Sequence, residues 1–78
     1  MTNIEIVNSA IKETIGEPDL PIEENMSLKD DLGMDSLDLV DMGMRIERDL
    51  NMGIPDDELE TWITVEDVYK TINEMNHE

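Results

Sequence analysis

The sequence predicts an all-α fold: a small bundle of three main helices plus one short helix, with a long first loop. Two observations carry this. Three segments open on a capping residue followed three positions later by a carboxylate, and each continues with apolar residues at helical spacing. The composition agrees, because Phe is absent, Trp62 and Tyr69 are the only aromatic residues, and seven Met make the core aliphatic and compliant. A helical bundle tolerates such a core better than a sheet does.

The first helix begins at Thr2, with Glu5 as its box partner, and Ile4, Val7, Ile11 and Ile15 form its predicted apolar stripe. Gly16 and then Pro18 end it. Residues 17–34 make a connection longer than compact domains commonly allow. Leu20, Ile22, Met26, Leu28 and Leu32 should fold it back over the bundle, with a possible helical turn at 27–31. The second helix is expected over about 36–51, stopped by Gly53 and Pro55. PDDEL, residues 55–59, has the Pro-then-acid order of one short helical turn. The last helix starts at Thr64 with Asp67 as box partner and Ile63 with Val68 as a hydrophobic staple. Val65, Val68, Tyr69, Ile72 and Met75 form its stripe, and residues 76–78 should be a frayed tail.

With 78 residues the chain reads as one domain, 1–78, able to bury only about 60% of its unfolded surface. Twenty-one acidic against five basic residues give a formal charge of −16, which argues against nucleic acid or an anionic membrane as partner. It favours basic protein surfaces, approached by electrostatic steering. There is no cysteine, hence no disulfide or thiolate metal site. Nothing in the sequence reads as a signal peptide or a membrane span, so a cytoplasmic monomer without membrane insertion is expected.

The chemistry centres on Gly33-Met34-Asp35-Ser36-Leu37. If Ser36 capped the second helix, the residue three further on would be Leu39, which returns no hydrogen bond. If Asp35 caps it, Asp38 completes the box, while Met34 and Leu39 occupy the staple positions. Asp35 is the better cap, and Ser36 becomes a first helical residue with a spare hydroxyl. It is no self-acting nucleophile, since that needs a general base and the sole histidine, His77, lies in the tail. No catalytic residue is expected. Modification of Ser36 by another enzyme stays open.

At 100° per residue, Leu39, Met42, Ile46 and Leu50 share the core face of this helix, with Gly43 at its edge. Leu37, Val40 and Met44 form a second apolar strip, flanked by Asp38, Asp41, Arg45 and Arg48. That strip is either covered by the bundle or left open for a partner. Asp41 and Asp49 both stand four residues from Arg45 and can pair with it.

Gly33-Met34-Asp35-Ser36-Leu37 at a helix start, followed by Ile54-Pro55-Asp56 and Thr64-Val65, resembles the acyl carrier proteins over essentially the whole chain. The resemblance implies a 4′-phosphopantetheine arm on Ser36, donated from coenzyme A by a holo-synthase that recognises Asp35. Its thiol would carry acyl groups as thioesters to partner enzymes of fatty-acid, polyketide or related synthesis. Those enzymes would present basic patches to the docking set Leu37, Asp38, Val40, Asp41, Met44, Arg45 and Arg48. The cargo would shelter beside the second helix, among Leu39, Met42, Gly43, Ile46, Ile54, Leu59, Trp62 and Val68. Arg45, Arg48, Gly43 and Trp62 depart from the fatty-acid members and point toward a specialised carrier. Gly43 and Trp62 have a packing explanation too, with Gly43 making room for a neighbour.

Two rivals remain from the charge. A calcium-binding EF-hand loop needs oxygen ligands at positions 1, 3 and 5, Gly at 6 and Glu at 12, an order that neither residues 30–35 nor PDDELE supplies. No metal ligands are therefore assigned. An acidic interaction protein without a prosthetic group would explain the charge, but neither the spare serine nor the second strip.

Overall fold

Reciprocal hydrogen bonds at the ends of the three main helices set the architecture. The computed structural model describes residues 2–77, with four helices: α1 (Asn3–Ile15), α2 (Ser36–Leu50), α3 (Asp56–Leu59) and α4 (Val65–Met75). Each of the main helices has both bonds of its capping box, from Thr2 and Glu5, Asp35 and Asp38, and Thr64 and Asp67. Helix α1 packs on α2 and α4, and α3 lies against α2. The core joins Val7, Ala10 and Ile11 of α1 with Met42 and Ile46 of α2 and Val65, Val68 and Ile72 of α4.

Helix α1 buries Val7 and Ile11 of its expected stripe and packs Ile15 against the core, but its buried face is rotated toward Asn3 and Ile6. Ile4 is 48% exposed, while Asn3 and Ile6 are buried. The cause is polar. Asn3 Nδ2 donates to Asn73 Oδ1 (3.0 Å) and Asn76 O (2.6 Å), and Asn76 Nδ2 donates back to Asn3 Oδ1 (2.8 Å). A buried amide needs such partners, so the stripe centres on Asn3 and Ala10. The same bonds correct the expected fraying at Asn76, which is tied to the first turn of α1. Glu78 lies outside the described residues.

The long connection folds over the bundle as expected, burying Leu28, Leu32 and Met34, with Leu20, Ile22 and Met26 packed partly against the core. At 27–31 it makes a helical turn, with the N–H groups of Asp31 and Leu32 both donating to Ser27 O (3.0 and 3.1 Å). Ser27 also forms an antiparallel bridge with Thr64. Leu28 N donates to Ile63 O (2.9 Å) and Val65 N to Met26 O (3.0 Å), which fastens the connection to the start of α4. Gly33 then takes φ +67°, a left-handed conformation that glycine adopts at little cost, and delivers the chain to α2.

Helix α2 ends within a residue of its expected end, but the stop is Asn51 rather than Gly53 or Pro55. Asn51 adopts φ +55° and its N–H donates to Glu47 O, since asparagine tolerates the left-handed cap. Glu47 Oε2 accepts from Ile54 N (2.6 Å), holding the following segment. The Ile63 staple does not form, because Ile63 is 69% exposed while Val68 is buried.

Asp67 Oδ2 accepts from the backbone N–H groups of Thr64 and Ile63 (both 3.0 Å). Chiefly through the Thr64 bond, its carboxyl is held below the ordinary aspartate range. A depressed folded-state pKa stabilises the fold above the unfolded value of about 3.9, and that contribution disappears as pH falls through the lower folded value. Asp67→Asn should therefore melt at a lower temperature than wild type at neutral pH. Thermal scans followed by circular dichroism across the acid range should show the two curves converging.

Candidate functional site

The site is assembled at the entry to α2. Asp35 Oδ1 accepts from Asp38 N (2.9 Å), and Asp35 N donates to Asp38 Oδ2 (3.2 Å). Asp35 is the cap, and Ser36 is the first residue of the helix. The side chain of Ser36 is exposed, and its hydroxyl has no hydrogen-bond partner among the described residues. Met34 at the position before the cap is buried, and Leu39 packs partly against the core, which fixes the direction from which the chain enters. Ser36 is thus held on a rigid turn with its oxygen free to react.

Ser36 lies at a groove of about 450 Å³ whose lining also includes Leu28, Lys29, Asp30, Leu39, Trp62 and Ile63. Trp62 is 3% exposed, and its Nε1 donates to Thr71 Oγ1 (3.0 Å), which in turn donates to Asp67 O (3.1 Å). A separate cleft of about 240 Å³ between α2 and α3 is lined by Val40, Gly43, Met44, Ile54 and Leu59, among others. The residues expected to shelter a cargo are therefore divided. Leu39 and Trp62 border the groove at Ser36, while Gly43, Ile54 and Leu59 border the cleft. Met42, Ile46 and Val68 are wholly buried in the core. Gly43 and Trp62 do not face one space.

Gly43 makes room for Leu59. A Cβ at position 43 would stand 2.9 Å from Leu59 Cδ2, closer than two carbons tolerate. Gly43→Ala gains about 1 kcal/mol of helix propensity but has to displace that methyl. Little net change in urea denaturation is expected from Gly43→Ala alone. In a Leu59→Ala background the same substitution should recover close to the full ~1 kcal/mol, and a double-mutant cycle measures the difference.

The second strip of α2 is open rather than core: Leu37 is 78% exposed, Val40 47% and Met44 56%. The arginines beside it are engaged within the chain. Arg45 Nη1 meets Glu13 Oε2 of α1 at 2.8 Å, and Arg45 Nε meets Asp41 Oδ2 at 3.3 Å. The Asp41 bond foremost holds the guanidinium pKa up. Asp49 pairs with Arg48 (3.5 Å) and not with Arg45, whose guanidinium is turned toward α1. The sequence reading missed Glu13, because the partners are 32 residues apart. It missed Thr71 as well, although a buried indole N–H needs an acceptor and could have prompted the search. Lys29, which reaches the groove from a loop, carried no sequence signal, and Ile63 was read as a staple rather than as a groove residue. Among the described residues no group of three or more acids or histidines is placed to hold a metal ion, and no helix is long and apolar enough to cross a membrane.

Residues 5–72 match the family described as the phosphopantetheine attachment site. The chain belongs to this family. Its prosthetic group is 4′-phosphopantetheine, bound covalently. A solved structure from Mycobacterium tuberculosis, provisionally named an acyl carrier protein, superposes on this carrier with a TM-score of 0.87 at 29% identity. The superposition covers 96% of this chain and 100% of that one. The all-α carrier fold is shared along its length. The residues at the α2 entry suit the group, offering an exposed, unbonded hydroxyl for a phosphodiester, one lysine beside it and apolar walls for a flexible chain.

Proposed function

We propose that Ser36 is the attachment point, and that the holo protein carries acyl groups as thioesters on the arm to partner enzymes of fatty-acid, polyketide or related synthesis. The single observation that carries this reading is the free Ser36 hydroxyl on the first turn of α2, inside the matched family region. In the modification, Ser36 Oγ would attack the phosphorus of coenzyme A that bears the pantetheine. A new P–O bond forms, the nucleotide bisphosphate leaves, and the serine proton passes to the holo-synthase. Asp35 is suited to guide that enzyme, because it is exposed and only its Oδ1 is taken by the cap. When bound, the group supplies a thiol that the cysteine-free chain lacks.

The carrier would leave the chemistry to its partners, and the tether raises the cargo's effective concentration at each active site. Leu37, Val40 and Met44 form the docking strip, with the carboxylates of Asp38 and Asp41 beside it for basic patches. Arg45 and Arg48, bridged to Glu13, Asp41 and Asp49, present less free positive charge than their number suggests.

Incubation with coenzyme A and a promiscuous phosphopantetheinyl transferase should add one arm by intact mass, mapped by peptide analysis to Ser36. Addition at Ser9 or Ser27 would refute the placement. No addition would favour an acidic protein that binds basic surfaces without a prosthetic group.

A further inference from the structure

The groove beside Ser36 is walled by three segments of the chain. One wall is the helical turn at 27–31, the second is the segment of Trp62 and Ile63, and the third is the first turn of α2. Backbone hydrogen bonds fix the walls to one another: Leu28 N to Ile63 O (2.9 Å), Met34 N to Leu28 O (2.9 Å), and the Ser27–Thr64 bridge. The groove therefore exists before any ligand enters. Asp30 and Asp35 line it, but so do exposed apolar surface and a lysine unpaired among the described residues. Ile63 is 69% exposed with no packing partner to explain it, and Leu39 is only partly covered by the core. Lys29 is one of five basic residues, and no ion pair engages it among the described residues.

We propose that the groove is the resting seat of the carrier's own arm: Lys29 pairs with the phosphodiester on Ser36, and the pantetheine chain lies against Leu39, Trp62 and Ile63. The proposal rests on Ser36 bearing the arm. Covalent attachment at the groove's edge selects this occupant over a free ligand. A phosphodiester keeps one negative charge at neutral pH, and Lys29 is the one cation in a lining that also holds the carboxylates of Asp30 and Asp35, the latter with its Oδ1 engaged in the helix cap. The α2–α3 cleft is the weaker candidate, being smaller, occupied in part by Leu59 over Gly43, and not lined by Ser36. An exposed ion pair is worth little in water, so the seat holds the arm loosely enough to yield it to a partner enzyme.

The test uses full-length apo and holo protein, with complete modification verified by mass. On conversion to holo, amide signals of residues 27–30, Leu39 and Ile63 and the indole N–H of Trp62 should shift in ¹⁵N correlation spectra, while those of Gly43 and Leu59 stay in place. The arm's thiol is the only thiol in the holo chain, so its alkylation by uncharged N-ethylmaleimide reports release directly. Lys29→Glu should speed alkylation by up to about fivefold, the factor that corresponds to an exposed ion pair. Lys29→Arg should match wild type. Shifts confined to Ser36 and its sequence neighbours, shifts at Gly43 and Leu59 instead, or equal alkylation rates in wild type and Lys29→Glu would overturn the seat and leave the carrier reading intact. A wild-type chain that takes up no arm would overturn the carrier reading itself, and the seat with it.

Discussion

Ser36→Ala is expected to take up no phosphopantetheine under conditions that convert wild type completely, while unfolding in urea within about 0.5 kcal/mol of wild type. Both halves follow from the register of α2. The helix cap is Asp35, whose Oδ1 accepts from Asp38 N, and the Ser36 hydroxyl bonds nothing among the described residues. Removing it costs no hydrogen bond, and alanine is the stronger helix former. Asp35→Ala is the contrasting variant. It removes the side-chain acceptor of Asp38 N, leaves the bond from the backbone N–H of residue 35 to Asp38 Oδ2, and should lose about 1 kcal/mol. Residual uptake by Ser36→Ala would move the attachment point elsewhere. A stability loss like that of Asp35→Ala would mean that the serine caps the helix, leaving no spare hydroxyl.

The largest loss of stability is expected from Trp62→Ala, about 3–5 kcal/mol. A 78-residue domain holds roughly 4–12 kcal/mol in total, so this one substitution removes about a quarter of the stability or more. The indole is 3% exposed, at the junction of the long connection, the groove and α4. Its N–H donates to Thr71 Oγ1, which separates two contributions. Trp62→Phe retains most of the buried area and loses the hydrogen bond. Thr71→Val keeps the indole but strands its N–H, at about 1–3 kcal/mol. Urea unfolding followed by circular dichroism ranks the three, with Trp62→Ala the most severe. If Thr71→Val were neutral, water would have to reach the indole, and the packing described would be wrong.

What could be read directly from the sequence was local. The capping boxes at Thr2, Asp35 and Thr64 link residues three apart, so identity and spacing alone determine them. The free state of Ser36 followed from the same logic, because assigning the cap to Asp35 left the serine nothing to bond. The openness of the Leu37, Val40 and Met44 strip was partly legible. The helix wheel separated it from the core face, but only packing could show that no other element covers it.

The tertiary structure decided whatever depends on residues far apart in the chain. Asn3 joined Ile6, Val7, Ala10 and Ile11 on the buried face of α1, where its amide meets Asn73 and Asn76, a partnership no pattern within α1 could announce. Arg45 turned toward Glu13, 32 residues away, where helical spacing alone had also offered Asp49. The presumed pocket residues parted because α3 pressed Leu59 onto Gly43 while the long connection was hydrogen-bonded to Ile63 beside Trp62. Capping energies fall off within one turn, whereas burial and ion pairing depend on which surfaces meet. The sequence therefore determined where each helix begins and which serine is free; the packing decided what that serine faces.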